Sequence, residues 1–82
     1  PKAPVHILVV PKKHLEKLQE VDDNEKDLLG ELLLAAKKIA EKEKIANLGY
    51  KIMINCGEGG GQVIPHLHIH LLGGWKGEGG CL

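Results

Sequence analysis

His66-Leu67-His68-Ile69-His70-Leu71-Leu72 is the stretch on which the fold turns. Its strict alternation of imidazole and aliphatic side chains has the period of a β-strand, whose successive residues point to opposite faces. Leu67, Ile69 and Leu71 would then bury one face, while His66, His68 and His70 line the other. Same-face neighbours on a strand sit about 6.5–7 Å apart, so the spacing predicts one imidazole flanked by two others without mutual contact. The strand is predicted to run from Val63 to Leu72, with Gly73-Gly74 ending it.

Working outward, Gly57-Glu58-Gly59-Gly60-Gly61 precedes this strand as a loop able to adopt positive φ. Tyr50-Lys51-Ile52-Met53-Ile54-Asn55 alternates as a strand before the loop. Further upstream, Leu28, Leu29, Leu32, Leu33, Ala36, Ile39 and Ala40 recur at spacings of three and four. Lys and Glu fill the gaps, which predicts an amphipathic helix from about Asn24 to Lys44. Asn47 to Gly49 reads as its stop signal. Lys12 to Asp23 is a polar connection with room for one helical turn. Val5-His6-Ile7-Leu8-Val9-Val10, closed by Pro11, is a β-branched strand whose near-continuous apolarity predicts burial on both faces except at His6. Strand, helix, strand, Gly loop and strand make a helix packed on a small antiparallel sheet, an α+β fold. Residues 1–82 form one domain, with 75–82 an irregular Gly-rich tail.

Composition narrows what such a domain does. Eleven Lys balance eleven Asp plus Glu, which excludes the positive field that nucleic-acid and membrane-surface binders use. No Arg is present, so an anion must be held by backbone N–H groups, Lys, His or amides. The apolar runs Ile7–Val10 and Leu32–Ala36 fall far short of the ~20 residues that span a bilayer. Cys56 and Cys81 form neither a disulfide framework nor a metal-type pair. The expectation is a soluble, reduced, cytoplasmic chain. With no Phe and only Tyr50 and Trp75 as aromatics, its core must be aliphatic and small. Domains of this size usually need a metal, disulfides or a partner, and here a second copy is expected to supply the missing burial.

Two chemistries fit three histidines on one strand face. The first is zinc binding, for which alternating His is a suitable ligand set. Zinc activation of water also wants a carboxylate base and acceptors behind each His, and only Glu58 is near. The second is nucleophilic catalysis, in which an imidazole attacks phosphorus and carries the phosphoryl group covalently. For that role Gly59-Gly60-Gly61-Gln62 would aim N–H donors at an anion as a backbone nest, with Asn55 reaching the same pocket across the hairpin. His14, just past Pro11, reads as a solvated loop residue.

The set of motifs resembles a known family. His66 to Leu72 matches the histidine triad signature, His-φ-His-φ-His-φ-φ with φ apolar. Ala3 to His14, Gly49-Tyr50, Asn55-Cys56-Gly57, Gly60-Gly61-Gln62 and Leu72-Gly73-Gly74 match in the same order. From Pro1 to about Gly74 the chain is similar to histidine triad (HIT) nucleotide-binding proteins of the Hint branch. The resemblance implies a homodimer whose sheets join across a two-fold axis. It also implies metal-independent, cofactor-free hydrolysis of purine nucleoside phosphoramidates such as those of AMP, and no nucleic-acid or membrane partner. By the same resemblance His68 is the nucleophile that becomes nucleotidylated. His66 offers the backbone carbonyl that orients His68, His70 is a phosphate ligand, and His6 is the supporting His of the first strand. Asn55, Gly61, Gln62 and Val63 fall on positions that contact the phosphate, together with His68 and His70.

Three departures from the pattern shape the expectation. Val63 stands where many relatives have Ser or Thr, leaving only a backbone donor. Trp75 to Gly80 does not match the usual aromatic ending. The family's N-terminal strands, with their base-pocket and ribose-binding residues, have no counterpart in these 82 residues. The sequence therefore reads as an N-terminally incomplete domain that holds phosphate but loses base recognition, for which a non-catalytic nucleotide-binding module is the alternative.

Overall fold

The computed structural model describes residues 3–76. The leucines at helical spacing become α1 (Lys26–Lys42), entered through a tight 3-10 turn at Asp23–Glu25. A capping box forms this entry. Asp22 Oδ1 accepts from Asn24 N at 3.0 Å, and Glu25 Oε1 accepts from Asp22 N at 3.1 Å. These bonds satisfy donors that every helix start leaves without intrahelical partners. Glu25 also pairs with Lys13, whose ammonium, more than the Asp22 N–H, holds the Glu25 carboxyl below the usual range. The loop after the first strand is thereby tied to the helix start.

The helix ends before the Asn47–Gly49 stop signal. Ile45 N donates to Ala40 O at 3.0 Å and Lys44 N to Glu41 O at 3.1 Å, while Lys44 takes φ 63°. This is a Schellman ending with a lysine in the left-handed position that glycine usually fills. The return buries Ile45 against Ala40 and Leu71.

Three strands, β1 (Val5–Val9), β2 (Tyr50–Met53) and β3 (Ile69–Gly73), form an antiparallel sheet in the order β1-β3-β2. Val5, Ile7 and Val9 share one face with Ile69, Leu71, Tyr50 and Ile52. α1 packs on that face over β3 and β1. Leu67, Ile69 and Leu71 are almost wholly buried there beside Leu32, Ala36 and Ala40. Burying an aliphatic side chain of this kind contributes about 1.5–3 kcal/mol, so these few residues hold the layers together. The opposite face, with His6, Leu8, His70, Leu72, Lys51 and Met53, carries no helix.

Three expectations are corrected by this arrangement. β1 is not buried on both faces: Leu8 is 45% exposed and Val10, beyond the strand, 50%, because only one side of the sheet is covered. Leu33, at the margin of the helix stripe, is 49% exposed and forms an apolar edge beside the buried face. β2 stops at Met53, not Asn55. β3 begins at Ile69, not Val63, so of the three histidines only His70 lies on it. Continuing the β1–β3 register would set Pro11 against Leu67. Proline has no N–H to give the ladder, so pairing ends before that point.

Of the expected irregular tail, only Trp75 and Lys76 lie within the described residues; 77–82, including Cys81, lie outside them. Cys56 is a half-buried free thiol. Among the described residues no helix is long and apolar enough to cross a membrane.

Candidate active site

His68 is the buried polar side chain among the described residues, 7% exposed. A buried imidazole needs partners for its polar atoms, and His68 finds one close by. Its Nδ1 lies 2.7 Å from the backbone carbonyl of His66. A carbonyl only accepts, so Nδ1 carries the proton and the neutral ring keeps its lone pair on Nε2. Among the described residues Nε2 has no hydrogen-bond partner, and it is not sealed from solvent. An imidazole held in one tautomer with a free lone pair is equipped to act as a nucleophile.

His70 follows on the same side. The expected separation of the rings does not hold, because the His68 and His70 centroids are 4.9 Å apart in an edge-on contact. Having left the strand, the segment before Ile69 is free of the pleat that would have kept them further apart. His6, reaching across from β1, places Nε2 2.9 Å from His70 Nδ1, with one of the two nitrogens donating. Burial, then the neighbouring His68 and His6, push the His70 imidazole below its ordinary value. Lowered in this way, His70 favours the neutral ring beside His68.

His66 stands apart from this cluster. Its Nε2 lies 3.2 Å from the Pro11 carbonyl and its Nδ1 3.3 Å from Nδ1 of His14. His14 is exposed, as expected, but it is not a free loop residue: its ring packs edge-on against His66 at 5.0 Å. No spacing along the chain signalled that contact.

The Gly loop folds as a tight turn, with Gly57 at φ 76° and Gly61 at φ 84°. Both conformations strain any residue with a Cβ, and a Cβ on Gly61 would also stand 3.5 Å from Asn55 Nδ2. Asn55 donates from Nδ2 to Gly60 O at 2.7 Å, which clamps the loop two residues beyond the end of β2. Gln62 is committed to the backbone as well. Its Nε2 donates to Glu16 O and Ile64 O, and its Oε1 accepts from Gly57 N at 2.8 Å. Asn55 and Gln62 thus brace the loop, while Val63 is 90% exposed. A hollow of about 180 Å³ beside them is lined by Lys17, Gly57, Gln62, Val63 and other loop residues, but by none of the histidines. The chemistry-bearing groups lie instead on the uncovered sheet face.

Metal-binding geometry is a separate matter. Among the described residues no group of three or more His, Cys, Asp or Glu is arranged to hold an ion. The ring nitrogens answer to carbonyls and to one another, and among the described residues no carboxylate is hydrogen-bonded to them.

Residues 1–77 match the HIT domain. The chain belongs to the HIT domain family. Its relatives include an uncharacterised HIT-like protein of Buchnera aphidicola, 51% identical over 93% of this chain and 68% of the relative. Another, from Synechococcus elongatus, is 53% identical over 90% of this chain and 64% of its own length. The chain therefore spans about two thirds of the relatives it matches. Among solved structures, a HIT family hydrolase from Legionella pneumophila superposes with a TM-score of 0.88 at 43% identity, over 93% of this chain and 68% of that one. A histidine triad protein from Clostridium difficile gives the same TM-score at 42% identity, over 96% and 69%. The α+β arrangement of one helix on a three-stranded antiparallel sheet is thus that of the HIT fold.

Proposed function

We propose that this HIT domain belongs to a nucleotide hydrolase of the Hint type, cleaving the P–N bond of purine nucleoside phosphoramidates. The observation that carries the reading is the 2.7 Å bond from His68 Nδ1 to the His66 carbonyl, which leaves Nε2 with its lone pair. In this reading Nε2 attacks phosphorus, the P–N bond breaks, and the amine departs with a proton. Water then cleaves the nucleotidyl-histidine bond, releasing the nucleoside monophosphate and restoring His68. The N–H groups of Gly60, Gly61 and Gln62 are spent on bonds inside the loop rather than forming the expected anion nest, so in this reading His70 and the Val63 N–H hold the phosphate oxygens, and His6 supports His70. The hydrolase described from Legionella pneumophila, sharing the fold at 43% identity, supports assigning hydrolysis.

The test is to incubate the purified protein with an adenosine phosphoramidate in the presence of a chelator and follow a covalent adenylyl adduct by mass. His68→Ala is expected to bind AMP but to lose the adduct and about a thousandfold or more in turnover, as removal of a nucleophile does. An adduct formed normally by His68→Ala but abolished by His66→Ala or His70→Ala would move the nucleophile elsewhere. Turnover that the chelator stops and zinc restores would replace this mechanism with a metal-dependent one.

A further inference from the structure

His66 and His68 lie before β3, so the strand ladder that fixes His70 does not fix them. The connection after β1 does so instead. Pro11 O faces His66 Nε2 at 3.2 Å, Leu67 N donates to Leu15 O at 2.6 Å, and His14 Nδ1 meets His66 Nδ1 at 3.3 Å. The connection is itself anchored, through Lys13, to Glu25 at the helix start. It replaces the missing strand partner along the part of the triad that carries the nucleophile.

The donor and acceptor roles follow in one direction. Pro11 O can only accept, so the neutral His66 ring is protonated on Nε2 and presents a lone pair at Nδ1. His14 must then donate from Nδ1. The His66 ring is held at both nitrogens, and through its Cβ this restrains the backbone of residue 66. That backbone offers the carbonyl that accepts from His68 Nδ1.

We propose that His14 is a positioning residue, which donates to Nδ1 of the His66 ring that Pro11 already holds at Nε2, and so aims the His66 carbonyl that holds the His68 ring for attack. The proposal rests on His68 being the nucleophile. The distance from His14 to the reacting atom is bridged by His66, so the contribution is to the rate of adduct formation and not to substrate affinity. Losing one net hydrogen bond from such a chain corresponds to about a tenfold change in rate.

Three variants separate the donor from the packing. His14→Phe keeps an edge-on ring beside His66 without a donor, and His14→Ala removes both. His14→Asn restores an N–H near the position of Nδ1. Single-turnover adduct formation is expected to slow about tenfold in the Phe and Ala variants and to recover to within about threefold in Asn, with KM nearly unchanged throughout. Nitrogen-15 spectra of the wild-type imidazoles at pH 8 should show His66 protonated on Nε2 alone, and in the Phe variant the same tautomer with the His66 Nδ1 resonance moved by loss of its hydrogen bond. Adduct formation at the wild-type rate in His14→Phe would overturn the proposal. So would an Asn variant as slow as Phe, or a rise in KM with an unchanged rate. If the wild type forms no adduct, the nucleophile reading fails, yet the spectra still decide the clamp. A His66 Nδ1 resonance that moves in His14→Phe upholds it, and an unchanged spectrum refutes it.

Discussion

His70 carries the clearest electrostatic consequence at the scale of one residue. Burial opposes its charged form first, and the adjacent His68 and His6 add to this, so its folded value lies below the ordinary 6.5. As pH falls, the unfolded chain takes up this proton before the folded one does, and stability must decline. The stabilisation is complete above about 6.5 and is lost as pH drops through the lower folded value. Urea midpoints measured at pH 7.5 and pH 5 are expected to fall, and to fall less in His70→Asn, which cannot take up the proton. An equal fall in both would assign the acid sensitivity to other groups. The alternation from His66 to Leu72 and the lone His6 made these residues legible as one site. His14 was not legible in the same way: it meets His66 across 52 residues of chain, a contact that only the path of the connecting loop creates.

At the scale of elements, α1 was legible because the apolar period is internal to the helix. Its C-terminus was misplaced because a lysine occupies the position where glycine would have signalled the stop. Lys44 holds φ 63°, which costs a residue with a Cβ about 1 kcal/mol or more. Lys44→Gly is therefore expected to raise stability by about 0.5–1 kcal/mol, part of the relief being offset by the greater freedom of glycine in the unfolded chain. A urea titration reads this directly, and a loss of stability would mean that the lysine contributes a contact outweighing its backbone cost. β3 was over-extended for a different reason. Alternation continues back through His66, but a strand exists only where partners can pair with it. Pro11 withdraws the partner on one side, and β2 has already ended at Met53 on the other. Side-chain pattern records the face a residue points to, not the presence of a neighbour.

For the whole molecule, the placement of the helix leaves a specific deficit. α1 packs over β1 and β3, so Tyr50 and Ile52, which point to the helix side of β2, remain 36% and 37% exposed. Leu33 on the helix margin is 49% exposed on that same side of the sheet. β2 is also an end strand, since the order β1-β3-β2 gives it one neighbour. An edge strand is a pairing surface that isolated domains usually blunt, and on this one Tyr50, Ile52 and Met53 stay exposed beside Lys51. Two copies related by a two-fold axis can join β2 to β2 antiparallel, extending the sheet across the axis while each helix margin covers the other copy's exposed residues. A seam of this kind would supply the burial for which a homodimer is expected from the small aliphatic core. Leu33→Glu sets two like charges near the axis without touching the histidines. It is expected to shift the protein from dimer to monomer in sedimentation at micromolar concentration and to lower the unfolding midpoint in the same sample. A wild type that sediments as a stable monomer, or a Leu33→Glu dimer with an unchanged midpoint, would show that the β2 edge is covered in some other way.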